Sequence, residues 1–243
     1  ENANEAQALA AELDALNRER RAIETSMQVD AASALEGLMQ VDEPPAGICL
    51  YQDNWHQGVI GILASRVKEK YHRPTIIFAE DSDTQLKGSG RSIPGIHLRD
   101  VLDEIATTHP GMLTKFGGHA MAAGMTLSRG DLDAFSDAFD RAVRDTLRAE
   151  DLEAAITTDG PLSPDELHLE TATLLKRAGP WGQHFPEPLF DGEFRVVSQR
   201  IVGENHLKLV LQPVEGGGII DGIAFNTGPE VPDFTRSGAR VVY

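Results

Sequence analysis

Between residues 47 and 79 the chain runs through strand, helix and strand signals in about thirty residues, and this spacing constrains the fold more than any other stretch. Residues 47–51 form a short apolar run that reads as a strand. Residues 58–71 read as a helix with Val59, Ile62, Leu63 and Val67 on its inner face. After Arg73-Pro74, the β-branched run 75–79 reads as a second strand. Strand, helix and strand at this spacing imply a parallel pair joined by a right-handed crossover. Further strands are expected at 86–93 and 121–127. Helices are expected at 97–107, with Leu98, Val101, Leu102 and Ile105 facing in, and at 131–147, with Leu132, Phe135, Phe139, Val143 and Leu147 facing in. Residues 41–150 are therefore expected to form an α/β domain with a mainly parallel or mixed sheet.

Two stretches of different style flank this domain. Residues 5–27 carry Leu9, Leu13, Leu16, Ile23 and Met27 at helical spacing, with Arg20 in the middle slot of the stripe. One stripe on so long a helix suits a connector packed against something, and a coiled-coil seam is the competing reading. Residues 28–46 lose the pattern and end in Asp-Glu-Pro-Pro, a boundary signal, so 1–40 are assigned to a connector helix. Beyond the α/β part, residues 151–161 read as a strand leading into a Gly-Pro turn, and Ser163 reads as the N-cap of a helix reaching Arg177. Strand-like runs follow at 190–201, 206–213 and 218–225, with Glu215–Gly218 as a hairpin turn, and a last run begins at 239. In 206–213, Leu207, Leu209 and Leu211 alternate with His206, Lys208, Val210 and Gln212. Short antiparallel strands with one helix predict a small β-barrel of the OB kind over 151–243, lacking strands at its C-terminal end. The chain opens on Glu1, which predicts a piece of a longer protein.

Charge narrows the function. The net charge of −16 argues against a broad polyanion-binding face. Residues 41–128, however, carry eight lysines and arginines against ten acidic residues, so a local site is open there. No apolar run is long enough to span a bilayer, so no membrane role is expected. The single cysteine, Cys49, lies in an apolar run, reads as a small buried hydrophobe and points to a reducing, cytoplasmic setting.

Two glycine-rich segments carry the candidate chemistry. In Lys87-Gly88-Ser89-Gly90-Arg91-Ser92, period two puts Lys87, Ser89 and Arg91 on one strand face in steps of about 7 Å, a spacing suited to phosphate oxygens. The same residues also suit an edge strand with glycines where a helix crosses. In Lys115-Phe116-Gly117-Gly118-His119, paired glycines free backbone N–H groups and His119 can donate to an anion; a tight turn with a satisfied histidine is the competing reading. Trp55-His56-Gln57-Gly58 precedes a helix N-terminus, where the dipole favours anions; Gly58 and Gly61 equally suit close packing against the sheet. The histidines at 56, 72, 97, 109, 119, 168, 184 and 206 show no zinc-site spacing, and there is no Walker loop, no nucleophile elbow and no aspartate cluster for two metals. Phosphate grip without cleavage machinery predicts a part of a larger enzyme.

The segments WHQGVIGILASRVKEKYHRPTIIF, KGSGRSIPGIHLRDVL, FGGHAMAAGMTL and PEPLFDGEF resemble the C-terminal portion of the RecJ family, the bacterial single-strand DNA exonucleases of the DHH phosphoesterase superfamily. The resemblance covers nearly the whole chain and implies a connector helix, a DHH-associated domain and the start of an OB domain. It further implies 5′-to-3′ hydrolysis of single-stranded DNA with Mn²⁺ or Mg²⁺ in repair and recombination, the metal ligands lying in an N-terminal DHH domain. On the matching positions it implies that Ser89 and Arg91 grip the terminal phosphate and that Gly117, Gly118 and His119 border the scissile region. Lys87, Trp55, His56 and Lys115 are further candidates, and Arg195, Arg200, His206 and Lys208 are candidates for guiding the strand on the OB part. No residue of this chain is expected to be catalytic or to bind metal. A monomer is expected, with single-stranded DNA as partner and single-strand-binding protein as a second candidate partner. Two alternatives stand beside this reading: a binding module with no catalytic role, and a DHH phosphodiesterase acting on small nucleotides.

Overall fold

The computed structural model describes residues 2–182, 185–228 and 231–243. His184, one of the surveyed histidines, lies outside the described residues. The chain divides into two compact units, Glu1–Ala154 and Ala155–Tyr243.

In the first unit a five-stranded sheet is built from β1 (Ile48–Tyr51), β2 (Thr75–Ser82), β3 (Gln85–Arg91), β4 (Leu113–Gly118) and β5 (Ala122–Ser128), in the spatial order β1-β2-β3-β5-β4. β1 and β2 are parallel, as the strand–helix–strand spacing requires, and helix α2 (Ile60–Tyr71) makes the crossover. Every other pairing is antiparallel, so the sheet is mixed. Helices α3 (Leu98–Thr108) and α4 (Leu132–Thr146) cover one face, where Phe78, Leu86, Leu98, Leu102, Met125, Phe135 and Phe139 form a core. Phe135 meets Phe78 edge to face at 5.6 Å and stacks near-parallel on Phe139 at 6.2 Å. Cys49 packs half-buried against this core, and burial pushes its thiol pKa up, leaving a poor nucleophile.

The opposite face carries a second core made with α2 and with α1 (Ala3–Leu38), and here the sequence reading needs correcting. Only the end of the expected stripe packs, through Ile23 and Met27, while Leu9, Leu13 and Leu16 are each more than half exposed. Residues 28–38, expected to lose the pattern, continue as helix and pack through Ala31 and Leu35, next to Met27 at the end of the stripe. The spacing of four persists there; Ala31 hides it, because a methyl side chain adds little to a hydrophobic stripe. Glu24 adds a polar tie between helices, bonded by Arg20 at 2.9 Å and facing Arg66 of α2 at 3.5 Å.

A second correction concerns β4, for which the sequence predicts no strand. Thr114 and Lys115 are exposed and Gly117-Gly118 dilutes the apolar signal, yet the segment pairs with β5 from Leu113 to Gly118. This is an edge strand, whose one free side tolerates such a composition.

The second unit is a curled antiparallel sheet of β6 (Asp191–Val202), β7 (His206–Pro213), β8 (Ile220–Ala224) and β9 (Ala239–Val242), in the order β8-β7-β6-β9, together with α5 (Leu169–Ala178). Phe194, Val196, Leu207, Leu209 and Leu211 fill its concave side, as the alternation in β7 predicts. Two expectations fail. Residues 151–161 form no strand, since Gly160 takes a φ of +95° and Pro161 has no N–H to offer a ladder. The helix starts five residues later than expected, with His168 rather than Ser163 as its N-cap. Ser163 and Glu166 close a local turn, the Ser163 hydroxyl donating to the Glu166 carboxylate at 2.7 Å, and Leu167 then turns in to the core before His168 caps α5.

Candidate nucleic-acid-binding site

β3 divides its residues between two duties. Gly88 and Gly90 face the core. A Cβ on Gly88 would lie 2.5 Å from the Phe78 ring and 2.6 Å from Met125 Sδ, and one on Gly90 would lie 2.7 Å from Leu98. Gly90 thus sits where α3 crosses the sheet, whereas Gly88 makes room for side chains of the neighbouring strands, and β3 is a central strand, not an edge. Lys87, Ser89 and Arg91 occupy the other face, Lys87 exposed and the other two half-buried.

On that face Arg91 Nη1 donates to Ser89 Oγ at 3.1 Å and to the Gly90 carbonyl at 2.8 Å. These bonds fix the guanidinium plane and leave its remaining N–H groups free to meet an anion. The first turn of α2 lies against the pair. A Cβ on Gly61 would come 2.9 Å from Arg91 Nη2 and 3.1 Å from Ser89 Oγ, so a glycine keeps this space open. The positive end of the α2 dipole adds to the attraction for an anion.

The sheet register extends the site sideways. Ser89 pairs with Gly124, which pairs with Gly117; Lys87 pairs with Thr126, which pairs with Lys115. Lys87 and Lys115 thus stand on one face about 10 Å apart, two strand spacings. Arg91, Lys87 and Lys115 have no ion-pair partner among the described residues. Thr126 stands between the two lysines, and beside them the floor is Gly117, Gly124 and Ala122, which raise nothing bulky from that part of the sheet. Gly118 takes a φ of +146°, and a Cβ there would lie 2.4 Å from the Ala122 carbonyl, so only glycine fits. The exposed His119 begins the loop to β5, its N–H donating to Ala122 at 2.8 Å. The loop is pinned by Leu98 N–H to the Ala120 carbonyl and Ser92 N–H to the Met121 carbonyl.

The other candidates fall out differently. Trp55 is buried in the α1–α2 core, its indole N–H 3.4 Å from Asp30 of α1; it fastens the connector helix and presents nothing to a ligand. His56 is exposed, and its Nδ1 accepts from Gly58 N–H at 3.0 Å at the approach to α2. Arg195, Arg200, His206 and Lys208 all project from the convex side of the second unit's sheet, away from the leucines. Arg195 is bonded to Gln212, Lys208 faces Asp221 at 3.5 Å, and Arg200 has no ion-pair partner among the described residues. Thr126 escaped sequence reading because β4, which places it between two lysines, was not recognised as a strand. Phe225, expected at the end of the strand run 218–225, lies one residue past β8.

Among the described residues no group of three or more His, Cys, Asp or Glu side chains is placed to hold a metal ion, so the residues present do not fit a catalytic metal centre. No helix among them is long and apolar enough to cross a membrane.

The mixed α/β unit with its glycine-floored face and the curled β unit define a two-module class: residues 45–145 match the DHHA1 domain and residues 158–243 match the RecJ OB domain. The chain belongs to the RecJ family and corresponds to the C-terminal portion of its members. It is 53% identical over 227 residues to the single-stranded-DNA-specific exonuclease RecJ of Escherichia coli, covering 93% of this chain and 39% of that protein. With the Bacillus subtilis protein of the same name it shares 31% identity over 247 residues, covering 99% of this chain and 30% of the relative. The crystal structure of Thermus thermophilus RecJ in complex with Mg²⁺ superposes with a TM-score of 0.69 at 27% identity, over 96% of this chain and 33% of that one; the same protein has been solved with Mn²⁺. The chain thus spans about two fifths of the length of the first relatives.

Proposed function

We propose that this chain is the strand-holding part of a single-stranded-DNA-specific exonuclease that works from the 5′ end. The observation that supports it most directly is the Ser89–Arg91 pair held beneath Gly61. A terminal phosphate carries more charge than an internal one, and a fixed guanidinium beside a hydroxyl and a helix N-terminus meets that charge with several donors at once. Lys87 and Lys115 then hold the next phosphates, the glycine floor lets the strand lie close to the sheet, and His119 borders the bond to be cut. Arg195, Arg200, His206 and Lys208 guide the incoming strand along the OB domain. Cleavage falls to a DHH domain of the complete protein and its Mn²⁺ or Mg²⁺. The wider expectations go with this reading: DNA repair and recombination, a cytoplasmic setting, a monomer, and contact with single-strand-binding protein. A small-nucleotide substrate would leave the OB domain without a task.

Binding of 5′-phosphorylated and 5′-hydroxyl oligonucleotides tests the proposal. The unaltered chain should favour the phosphorylated strand. Arg91→Ala should erase that preference at a cost of roughly 1–3 kcal/mol, the scale of a lost hydrogen bond to a charged group. Equal affinity of the unaltered chain for both ends would remove the phosphate grip.

A further inference from the structure

We propose that Phe225 is a base-stacking residue, the place on the second unit where an unpaired nucleobase is held face to face with the protein. The inference rests on the strand-holding reading above and gives that reading a contact that is not electrostatic.

Phe225 follows β8 directly and is 66% exposed. It takes no part in the core of its own sheet. Its ring meets the His206 imidazole at 5.3 Å with the planes 72° apart. The imidazole is held in turn, because Nδ1 accepts the Asn226 N–H at 3.1 Å. Asn226 occupies the left-handed region at φ 58°, its side chain accepts from the Asn205 amide at 3.3 Å, and the Gly228 N–H donates to the Asn205 carbonyl at 3.3 Å. The turn that carries Phe225 is therefore braced against the turn between β6 and β7. An apolar ring held rigid in water has lost its mobility before any ligand arrives, which lowers the cost of binding something flat.

Its neighbours select the ligand. Lys208 pairs with Arg200 on one side and Ile223 on the other, and one step of the pleat further along, about 7 Å away, lie His206 and Phe225. An exposed aromatic beside cations, here Arg200 and the Asp221-facing Lys208, is the pattern by which proteins hold single strands, the cations on phosphates and the ring on a base. It suits a protein partner less well, because Lys208 and Arg200 break up the apolar surface around the ring. His206 changes role accordingly: with Nδ1 engaged and its ring against Phe225, it positions the stacking residue.

The test uses the 243-residue chain, a 5′-phosphorylated thymidine oligonucleotide and an abasic strand of equal length, each titrated over a range of salt. Phe225→Ala should bind the thymidine strand roughly tenfold more weakly. It should bind the abasic strand as the unaltered chain does, with an unchanged salt slope, because no phosphate contact is lost. Phe225→Leu, which keeps apolar bulk without a ring, should behave like Phe225→Ala, and Phe225→Trp should retain affinity with its fluorescence quenched by the base. Unchanged affinity of Phe225→Ala and Phe225→Leu for the thymidine strand, or an equal loss on the abasic strand, would overturn the stacking role while leaving the strand-holding reading intact. Failure of the unaltered chain to bind either strand in a salt-dependent way would sink both.

Discussion

At Gly61, Gly88 and Gly117 the same residue type answers to three different neighbours. Gly88 is required by the core, where a methyl group would press on Phe78 and Met125. At Gly61 a methyl group would instead meet the tip of the Arg91 side chain and displace its guanidinium. Gly117 has nothing within 4 Å of a built Cβ. Gly88→Ala should therefore destabilise the protein by about 1–3 kcal/mol, the usual cost of overpacking. Gly117→Ala should leave stability unchanged or slightly raised, because glycine weakens a strand. Calorimetric melting of the two variants checks this; an unperturbed Gly88→Ala would mean that β3 does not seat its glycines in the core. Period two alone separates Lys87, Ser89 and Arg91 from the core-facing glycines, so the two faces of β3 were legible in the sequence. Which glycines serve packing and which serve the site was not, because that depends on Phe78, Leu98 and Gly61, brought in from elsewhere in the chain.

Single elements depend on ties that sequence reading reaches unevenly. β6 is held at its start by Asp191, whose carboxylate accepts from the Thr158 hydroxyl at 2.5 Å and from Arg240 of β9 at 2.6 and 2.9 Å. The Thr158 hydroxyl foremost, and Arg240 after it, hold the Asp191 carboxyl below the usual carboxylate range. A depressed folded pKa stabilises the native state above the unfolded value of about 3.9 and loses that contribution as pH falls through the folded value. Urea midpoints of the full chain should therefore fall as pH is lowered below about 4. Asp191→Asn should start lower at neutral pH and show a shallower fall; an identical pH profile for the variant would remove this tie. Strands with clean alternation, β7 above all, were legible from the sequence. β4, the second half of α1 and the start of α5 were not. An edge position, an alanine in a helix seam and a leucine turned inward are decisions made by packing partners, and local pattern carries only a trace of them.

For the molecule as a whole, net charge and site pull in opposite directions. A chain of net charge −16 repels a polyanion at a distance, so only a compact cationic site can hold one. Affinity for single strands should accordingly weaken with rising salt, with a slope matching a handful of phosphate contacts. Lys87→Ala and Lys115→Ala should each reduce that slope by about one. With Mn²⁺ or Mg²⁺ supplied, the 243-residue chain should leave labelled single-stranded DNA intact; metal-dependent degradation would overturn the division of labour between holding and cutting. The α/β class, the parallel β1–β2 pair and the OB-type second unit were all readable from spacing. The antiparallel remainder of the first sheet was not, since its order depends on β4. The two committed faces of β3 carry one more consequence. Because side chains alternate, a one-residue slip in pairing would drive Lys87, Ser89 and Arg91 into the aromatic core and turn both core glycines outward. Misregistered molecules would therefore lose fold and grip together, so the fraction of a preparation able to bind a 5′ phosphate also measures the fraction correctly folded.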